Sequence, residues 1–179
     1  MNDDIERIFF TEDQIQSKVS ELGEELTEKY RDKFPIFIGI LKGSFMFMAD
    51  LIRKVDIRCE VDFMSVSSYG SGTTTTGAVR ISKDLSRDIE GRHVVLVEDI
   101  LDSGFTLSYL CSYLKVRKPA SVVICTLLDK PARRQTEIKP DYSGFECPDE
   151  FIVGYGLDYS EKYRNLPYIG VLKKEIYTQ

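Results

Sequence analysis

Three nearly continuous apolar runs, PIFIGIL at 35–41, VVLVEDI at 94–100 and SVVICTLLDK at 121–130, most constrain what this chain can fold into. Each has the length of a strand. None alternates with polar residues as a half-exposed strand would, so each reads as a strand covered on both faces. Helical periods follow the first two. SFMFMADLIRKV (44–55) stands behind a short Lys42-Gly43 turn, and FTLSYLCSYLKVRK (105–118) places Leu107, Leu110, Cys111 and Leu114 on one face. Strands alternating with helices imply a doubly wound α/β fold, with a mainly parallel sheet, right-handed crossovers and helices on both faces.

The flanking segments fit that frame. Thr11-Glu12-Asp13-Gln14 has the form of a capping box, and Ile15, Val19, Leu22, Leu26 and Tyr30 follow at helical spacing. Alternation of Ile57, Cys59, Val61 and Phe63 predicts a half-buried strand over 57–64, and FIVGYGL (151–157) and YIGVLKKEIY (168–177) read as later strands. No linker or repeat divides residues 1–179, so a single domain is expected.

Composition removes several classes of function. With 24 basic and 29 acidic residues the formal charge is −5, which gives no general field for nucleic acid or anionic membrane. No apolar run approaches the ~18 residues of a membrane span, and the acidic start MNDDIERIFFTEDQ is unlike a secretory signal, so a cytoplasmic location is expected. The 4 cysteines are scattered with no CxxC, and His93 is the sole histidine. A disulfide framework, a Cys/His zinc site and histidine-based catalysis therefore all fit poorly.

The turn after the second apolar run, VVLVEDILDSGFT (94–106), carries the densest chemistry. Ligands of open α/β sheets bind beyond the carboxyl ends of the strands, where this turn lies. Ser103, Gly104, Phe105 and Thr106 would present backbone N–H groups and two hydroxyls at a helix N-terminus, an anion cradle suited to phosphate. There is no GxxxxGK[ST] pattern, and Gly70-Ser71-Gly72 lacks the third glycine of a dinucleotide fingerprint. Glu98 and Asp99 would repel phosphate, but carboxylates accept hydrogen bonds from sugar hydroxyls and help hold Mg²⁺. A sugar phosphate satisfies both halves. The alternative, acids complementing a helix dipole with Ser103 as cap, accounts for one acid more easily than for Glu98, Asp99 and Asp102 together.

This segment resembles the phosphoribosyl pyrophosphate motif of the type I phosphoribosyltransferases. GILKGS (39–44), SSYGS (67–71), LLDKPAR (127–133) and PDEFIVGYGLDYSEKYRNLPYIG (148–170) extend the resemblance, in order, to the hypoxanthine-guanine branch of that family, from roughly Ile8 to Ile176. The resemblance implies purine salvage: Mg²⁺-dependent transfer of ribose 5-phosphate from phosphoribosyl pyrophosphate to a 6-oxopurine, with release of pyrophosphate.

Carried over residue by residue, it assigns Ser103, Gly104, Phe105 and Thr106 to the 5-phosphate, and Glu98 and Asp99 to the ribose hydroxyls directly or through magnesium. Asp102 becomes general base or acid at the purine imidazole ring. Lys42, Gly43, Arg164, Ser68 and Tyr69 go to pyrophosphate. Lys130, Phe151, Ile152 and Asp158 go to the purine site, with Asp158 also matching a second magnesium position. Lys130 carries donors only, so it suits an exocyclic oxygen and not adenine's amino group.

Residues 68–77 resemble a loop that closes over the reacting centre and excludes water. The resemblance further implies a small hood built from the terminal segments, a Leu41-Lys42 peptide that is often cis, and a homodimer or homotetramer. Phe105 departs from relatives that carry lysine there. Two other readings stay open: a xanthine-preferring transferase, and a catalytically weak nucleotide-sensing regulator of the same fold that binds RNA or DNA.

Overall fold

The computed structural model describes residues 1–68 and 79–178. After a short 3-10 turn come strand β1 (Ile5–Phe10) and helix α1 (Glu12–Tyr30). The capping box forms as the sequence predicts: Gln14 N donates to Thr11 Oγ1 at 3.3 Å and Thr11 N to Gln14 Oε1 at 2.9 Å. The stripe from Ile15 to Tyr30 is buried. The chain continues through β2 (Ile36–Leu41), α2 (Phe45–Ile52), β3 (Glu60–Ser68), β4 (Val79–Lys83), β5 (His93–Leu101), α3 (Phe105–Lys115), β6 (Ser121–Asp129), β7 (Tyr142–Glu146), β8 (Ile152–Val153), β9 (Ile169–Leu172) and α4 (Lys174–Tyr177).

Six strands form one sheet in the order β4-β3-β2-β5-β6-β7, parallel except for the antiparallel edge strand β4. The second sheet, β1-β9-β8, is antiparallel and joins the two ends of the chain into the expected hood. The three apolar runs are the adjacent strands β2, β5 and β6, covered on both faces. Phe37, Val95 and Val97 meet α1 and α2 on one side; Ile36, Ile38, Val94 and Leu96 meet α3 on the other.

Some boundaries differ from the sequence expectation. The strand expected over 57–64 starts at Glu60, because its register with Ile36 at the start of β2 sets where pairing can begin. FIVGYGL contributes only Ile152–Val153 to strand. Gly154 and Tyr155 adopt φ of 103° and 50°, and the chain folds back so that Gly154 and Leu157 pair with each other. YIGVLKKEIY divides into β9 and the single turn α4. β1, β4 and β7 lie at sheet edges and are half-exposed, so their apolar pattern is too sparse to read.

From β2 the chain moves outward to β3, whereas from β5 it moves the opposite way to β6 and β7. The carboxyl ends of β2 and β5 therefore flank the topological switch point, the crevice where ligands of open α/β sheets bind. The Lys42-Gly43 turn leaves β2 there and the Asp102–Thr106 turn leaves β5 there. Among the described residues no helix is long and apolar enough to cross a membrane.

Candidate active site

The phosphate-type cradle is built by the β5–α3 turn. Gly104 adopts φ 88° and its carbonyl accepts the amide of Ser108 at 2.9 Å, so that α3 starts at Phe105 after a tight three-residue reversal from the end of β5. A side chain at Gly104 is excluded twice, by its left-handed backbone and by Thr136 Oγ1, 2.2 Å from where a Cβ would sit. Glu98, Ile100, Asp102, Ser103 and Thr106 line a small hollow of about 90 Å³ around this helix start. Into it points Glu98, whose Oε2 is buried and has no hydrogen-bond partner among the described residues.

Strand alternation separates the two consecutive acids. Glu98 follows Val94 and Leu96 onto the α3 face, while Asp99 follows Val95 and Val97 onto the face of α2 and the Lys42-Gly43 turn. Gly43 is packed so tightly there that a Cβ would lie 1.8 Å from Asp99 Oδ2. Burial, and after it the neighbouring Asp99, pushes Glu98 well above the usual carboxylate range. Burial also raises Asp99, to about 6, against the opposing pull of the Ile100 amide and the Arg164 guanidinium.

The cationic side of the crevice is composed of Arg164 and Lys42. Arg164 reaches Asp158 at 2.8 Å and donates to Gly156 O at 2.7 Å, with its Nε buried and unpartnered among the described residues. Lys42 bridges to Glu161 at 3.0 Å, an exposed pair of the kind that contributes little to stability and exchanges easily. The Leu41-Lys42 peptide is cis. Asp158 also accepts the Glu161 amide at 2.8 Å, so it stands with Arg164 rather than among the residues lining the base-sized cleft. Ser68 closes β3, and Tyr69 with the loop expected through 77 lies outside the described residues.

Next to the cradle opens a cleft of about 350 Å³ lined by Ile100, Asp102, Lys130, Phe151, Ile152 and Tyr177, among others. Lys130 is 4% exposed. Its ammonium donates to Glu150 O at 2.9 Å and lies 3.2 Å from Asp149, which leaves one of its three donors for a ligand. Asp102 Oδ1 accepts no hydrogen bond among the described residues, and Arg133 Nε approaches it at 3.5 Å. Ile100 and Asp102 line both hollows. A larger hollow of about 560 Å³, lined by Tyr30, Phe34 and Arg58, sits at the amino ends of β2 and β3, away from the switch point and from every group above.

Several residues that shape the site escape sequence reasoning. Arg134, largely buried, donates to Asp102 O at 2.9 Å, to Leu101 O at 3.2 Å and to Ile138 O at 2.6 Å and pairs with Asp129, clamping the cradle from the loop after β6. Gln135 N adds a bond to Ser103 O at 2.9 Å. Arg133 and Glu161 lie inside the motifs at 127–133 and 148–170 but carry no role there, whereas Tyr177 stands beyond both and nothing local in its sequence marks it. Ile100 had a signal: it lies between Asp99 and Asp102 in the motif itself.

The model of the phosphoribosyl transferase domain family matches residues 11–160. Over 177 residues the chain is 57% identical to the hypoxanthine-guanine phosphoribosyltransferase of Bacillus subtilis, covering 99% of this chain and 98% of that protein. It is 53% identical over 176 residues to the protein of the same name from Streptococcus thermophilus, covering 98% of each. The solved structure of a hypoxanthine phosphoribosyltransferase from Staphylococcus aureus superposes with a TM-score of 0.97 at 51% identity, covering 100% of this chain and 97% of that one. A phosphate-type cradle and a base-sized cleft meeting at one aspartate, on a chain related at this level, have one consistent meaning: the chain belongs to the phosphoribosyltransferase family.

Proposed function

We propose that this protein is a purine-salvage enzyme that transfers ribose 5-phosphate from phosphoribosyl pyrophosphate to hypoxanthine or guanine, giving IMP or GMP and pyrophosphate. The observation that carries the reading is the shared wall. A nucleotide has base and phosphate joined through ribose, and here the base-sized cleft and the cradle are joined at Ile100 and Asp102. Asp102 at that junction is within reach of both the sugar and the base, the position a general base or acid for the purine ring nitrogen needs.

In this reading Ser103 to Thr106 hold the 5-phosphate by backbone N–H groups and hydroxyls. Lys42, Gly43 and Arg164, with Ser68 and Tyr69, serve the pyrophosphate, and the Lys42–Glu161 pair opens as the anion arrives. Lys130 spends its free donor on the exocyclic oxygen of the base, Phe151 offers its ring face, and Ile152 its backbone.

Magnesium fits the donor set in a particular way. Carboxylates at Glu98, Asp99 and Asp158 are hard oxygen donors, and Glu98 has an unpartnered buried oxygen. Yet the described residues contain no group of three acids, histidines or cysteines close enough to enclose an ion. Such a site suits Mg²⁺ brought in on the oxygens of phosphoribosyl pyrophosphate, where it would neutralise charge on the departing pyrophosphate. The same reading implies small-molecule partners, no nucleic acid or membrane, and a homodimer or homotetramer in the cytoplasm.

Initial rates with phosphoribosyl pyrophosphate and Mg²⁺ against hypoxanthine, guanine, xanthine and adenine test it. Activity on the first two with adenine inert supports the proposal. A preference for xanthine revises the substrate, and silence on all four from folded protein removes the enzyme reading.

A further inference from the structure

The last turn of the described chain is held from two sides. Leu172 N donates to Phe151 O at 2.9 Å and Lys173 N to Asp4 O at 3.0 Å, so the step from β9 into α4 is tied both to the residue before β8 and to the segment before β1. Ile176 and Tyr177 then pack on the hood cluster of Val153, Tyr163, Leu166 and Leu172. From that anchorage the Tyr177 ring lies over Phe151, with centroids 4.7 Å apart and planes at 19°. Tyr159 meets the same phenylalanine edge-on, at 5.6 Å and 88°. Phe151 nonetheless remains 38% exposed. One face and one edge are therefore covered, and Phe151 and Tyr177 together line the cleft that contains Lys130 and Asp102.

We propose that Tyr177 is a base-positioning residue, which backs Phe151 and fixes the plane against which the purine lies. The proposal rests on the transferase reading and adds to it a role for the C-terminal turn. A lone phenylalanine at a cleft mouth has rotamer freedom that a ligand must remove on binding, and a second ring stacked behind it removes that freedom beforehand. Stacked pairs also prefer offset parallel geometry, so the backing ring sets the tilt of the front one. No hydrogen bond from the Tyr177 hydroxyl is present among the described residues, so the flat ring is the part that acts.

The test uses the full chain with Tyr177→Ala, Tyr177→Leu and Tyr177→Phe, reading KM for hypoxanthine at saturating phosphoribosyl pyrophosphate, and Kd for GMP by calorimetry without turnover. Alanine and leucine should each raise both constants roughly two- to tenfold, the range expected for one aromatic pair. Phenylalanine should restore them, while kcat and KM for phosphoribosyl pyrophosphate hold. Leucine keeps the apolar packing on the hood, so it decides the matter if the alanine variant fails to fold. Unchanged constants in alanine and leucine, or full rescue by leucine, would overturn the proposal. So would tighter base binding in the alanine variant, which would mean that the ring occupies the base's own place. A wild-type protein that neither turns over hypoxanthine nor binds GMP would bring down the transferase reading, and this role with it.

Discussion

Two sets of buried acids in the same sheet are treated in opposite ways. Asp62 on β3, 7% exposed, accepts the amides of Ser86 and Phe63 at 2.7 Å each and the Lys83 ammonium at 3.4 Å. Burial alone would raise its pKa, but those three donors hold it below the ordinary value. Glu98 and Asp99 on β5 have few such donors: Glu98 Oε2 has none among the described residues, and both acids are pushed upward by burial. A buried carboxylate with its donors supplied by the fold is a structural part, here fastening the segment after β4 to β3. Under the proposed function, buried acids whose donors are missing at a topological switch point would take them from a ligand. Among the described residues, Glu98, Asp102, Thr136 and Arg164 each leave a buried side-chain atom unpartnered at this crevice, and Tyr30 Oη does so elsewhere.

The largest expected effect lies at the junction of cradle and cleft. Asp102→Ala should lower turnover by roughly 10²- to 10⁴-fold, while phosphoribosyl pyrophosphate still binds, as read by initial rates and calorimetry. Turnover equal to wild type would take Asp102 out of the chemistry. Next comes Lys130→Met, which keeps the stem and removes the charged donor. KM for hypoxanthine should rise about 10- to 100-fold, the worth of a hydrogen bond to a charged group, with little change in KM for phosphoribosyl pyrophosphate. Equal loss toward both substrates would point to a collapsed cleft instead.

The comparison itself is tested by a pair of variants. Asp62→Ala leaves the Ser86 and Phe63 amides without their acceptor, and should cost roughly 1–3 kcal/mol in urea unfolding while the folded fraction keeps its kcat. Glu98→Gln replaces a carboxyl whose ionisation the fold disfavours and whose Oε2 it leaves unpartnered, so stability should hold or rise while activity falls. If Glu98→Gln destabilises as much as Asp62→Ala, the two acids are not different in kind.

How much of this was legible beforehand follows from range. The three apolar strands and α1 announce themselves, because periodicity and capping are local properties of the chain. The cradle does too, since Glu98 to Thr106 are contiguous and a strand–turn–helix places them without help. The split between Glu98 and Asp99 was also implicit in strand alternation, though a reading that groups them as a pair on the ribose passes over it. Arg134 and Tyr177 could not be read: each lies outside the motifs and reaches the site by contacts that exist only after the sheet has formed, while Glu161 shares its motif with Asp158 and Arg164 and only its partner Lys42 was hidden. The edge strands β1, β4 and β7 were hidden for a related reason, since half-exposed pairing leaves little apolar pattern behind.

The smallest expected effect is in the pH dependence of stability in magnesium-free buffer, and its sign separates the two sets of acids. Asp62 has a folded pKa below that of the unfolded chain. Its contribution is complete above the ordinary carboxylate pKa of ~3.9 and is lost as pH falls from there through the folded value. Asp99, at about 6 in the folded protein, does the reverse. Between ~4 and 6 the folded chain keeps a proton that the unfolded chain has released, so stability declines as pH rises across that window, by no more than about 1.4 kcal/mol per pH unit. Urea melts at pH 3, 4, 5 and 6 should therefore show a flatter profile between pH 4 and 6 for Asp99→Asn than for wild type, whereas Asp62→Asn should lose a similar amount of stability at pH 4, 5 and 6 and less at pH 3. A wild-type profile that rises steadily from pH 4 to 6, unchanged in Asp99→Asn, would mean that Asp99 is satisfied by the fold after all, and the contrast with Asp62 would fail at the site where it matters most.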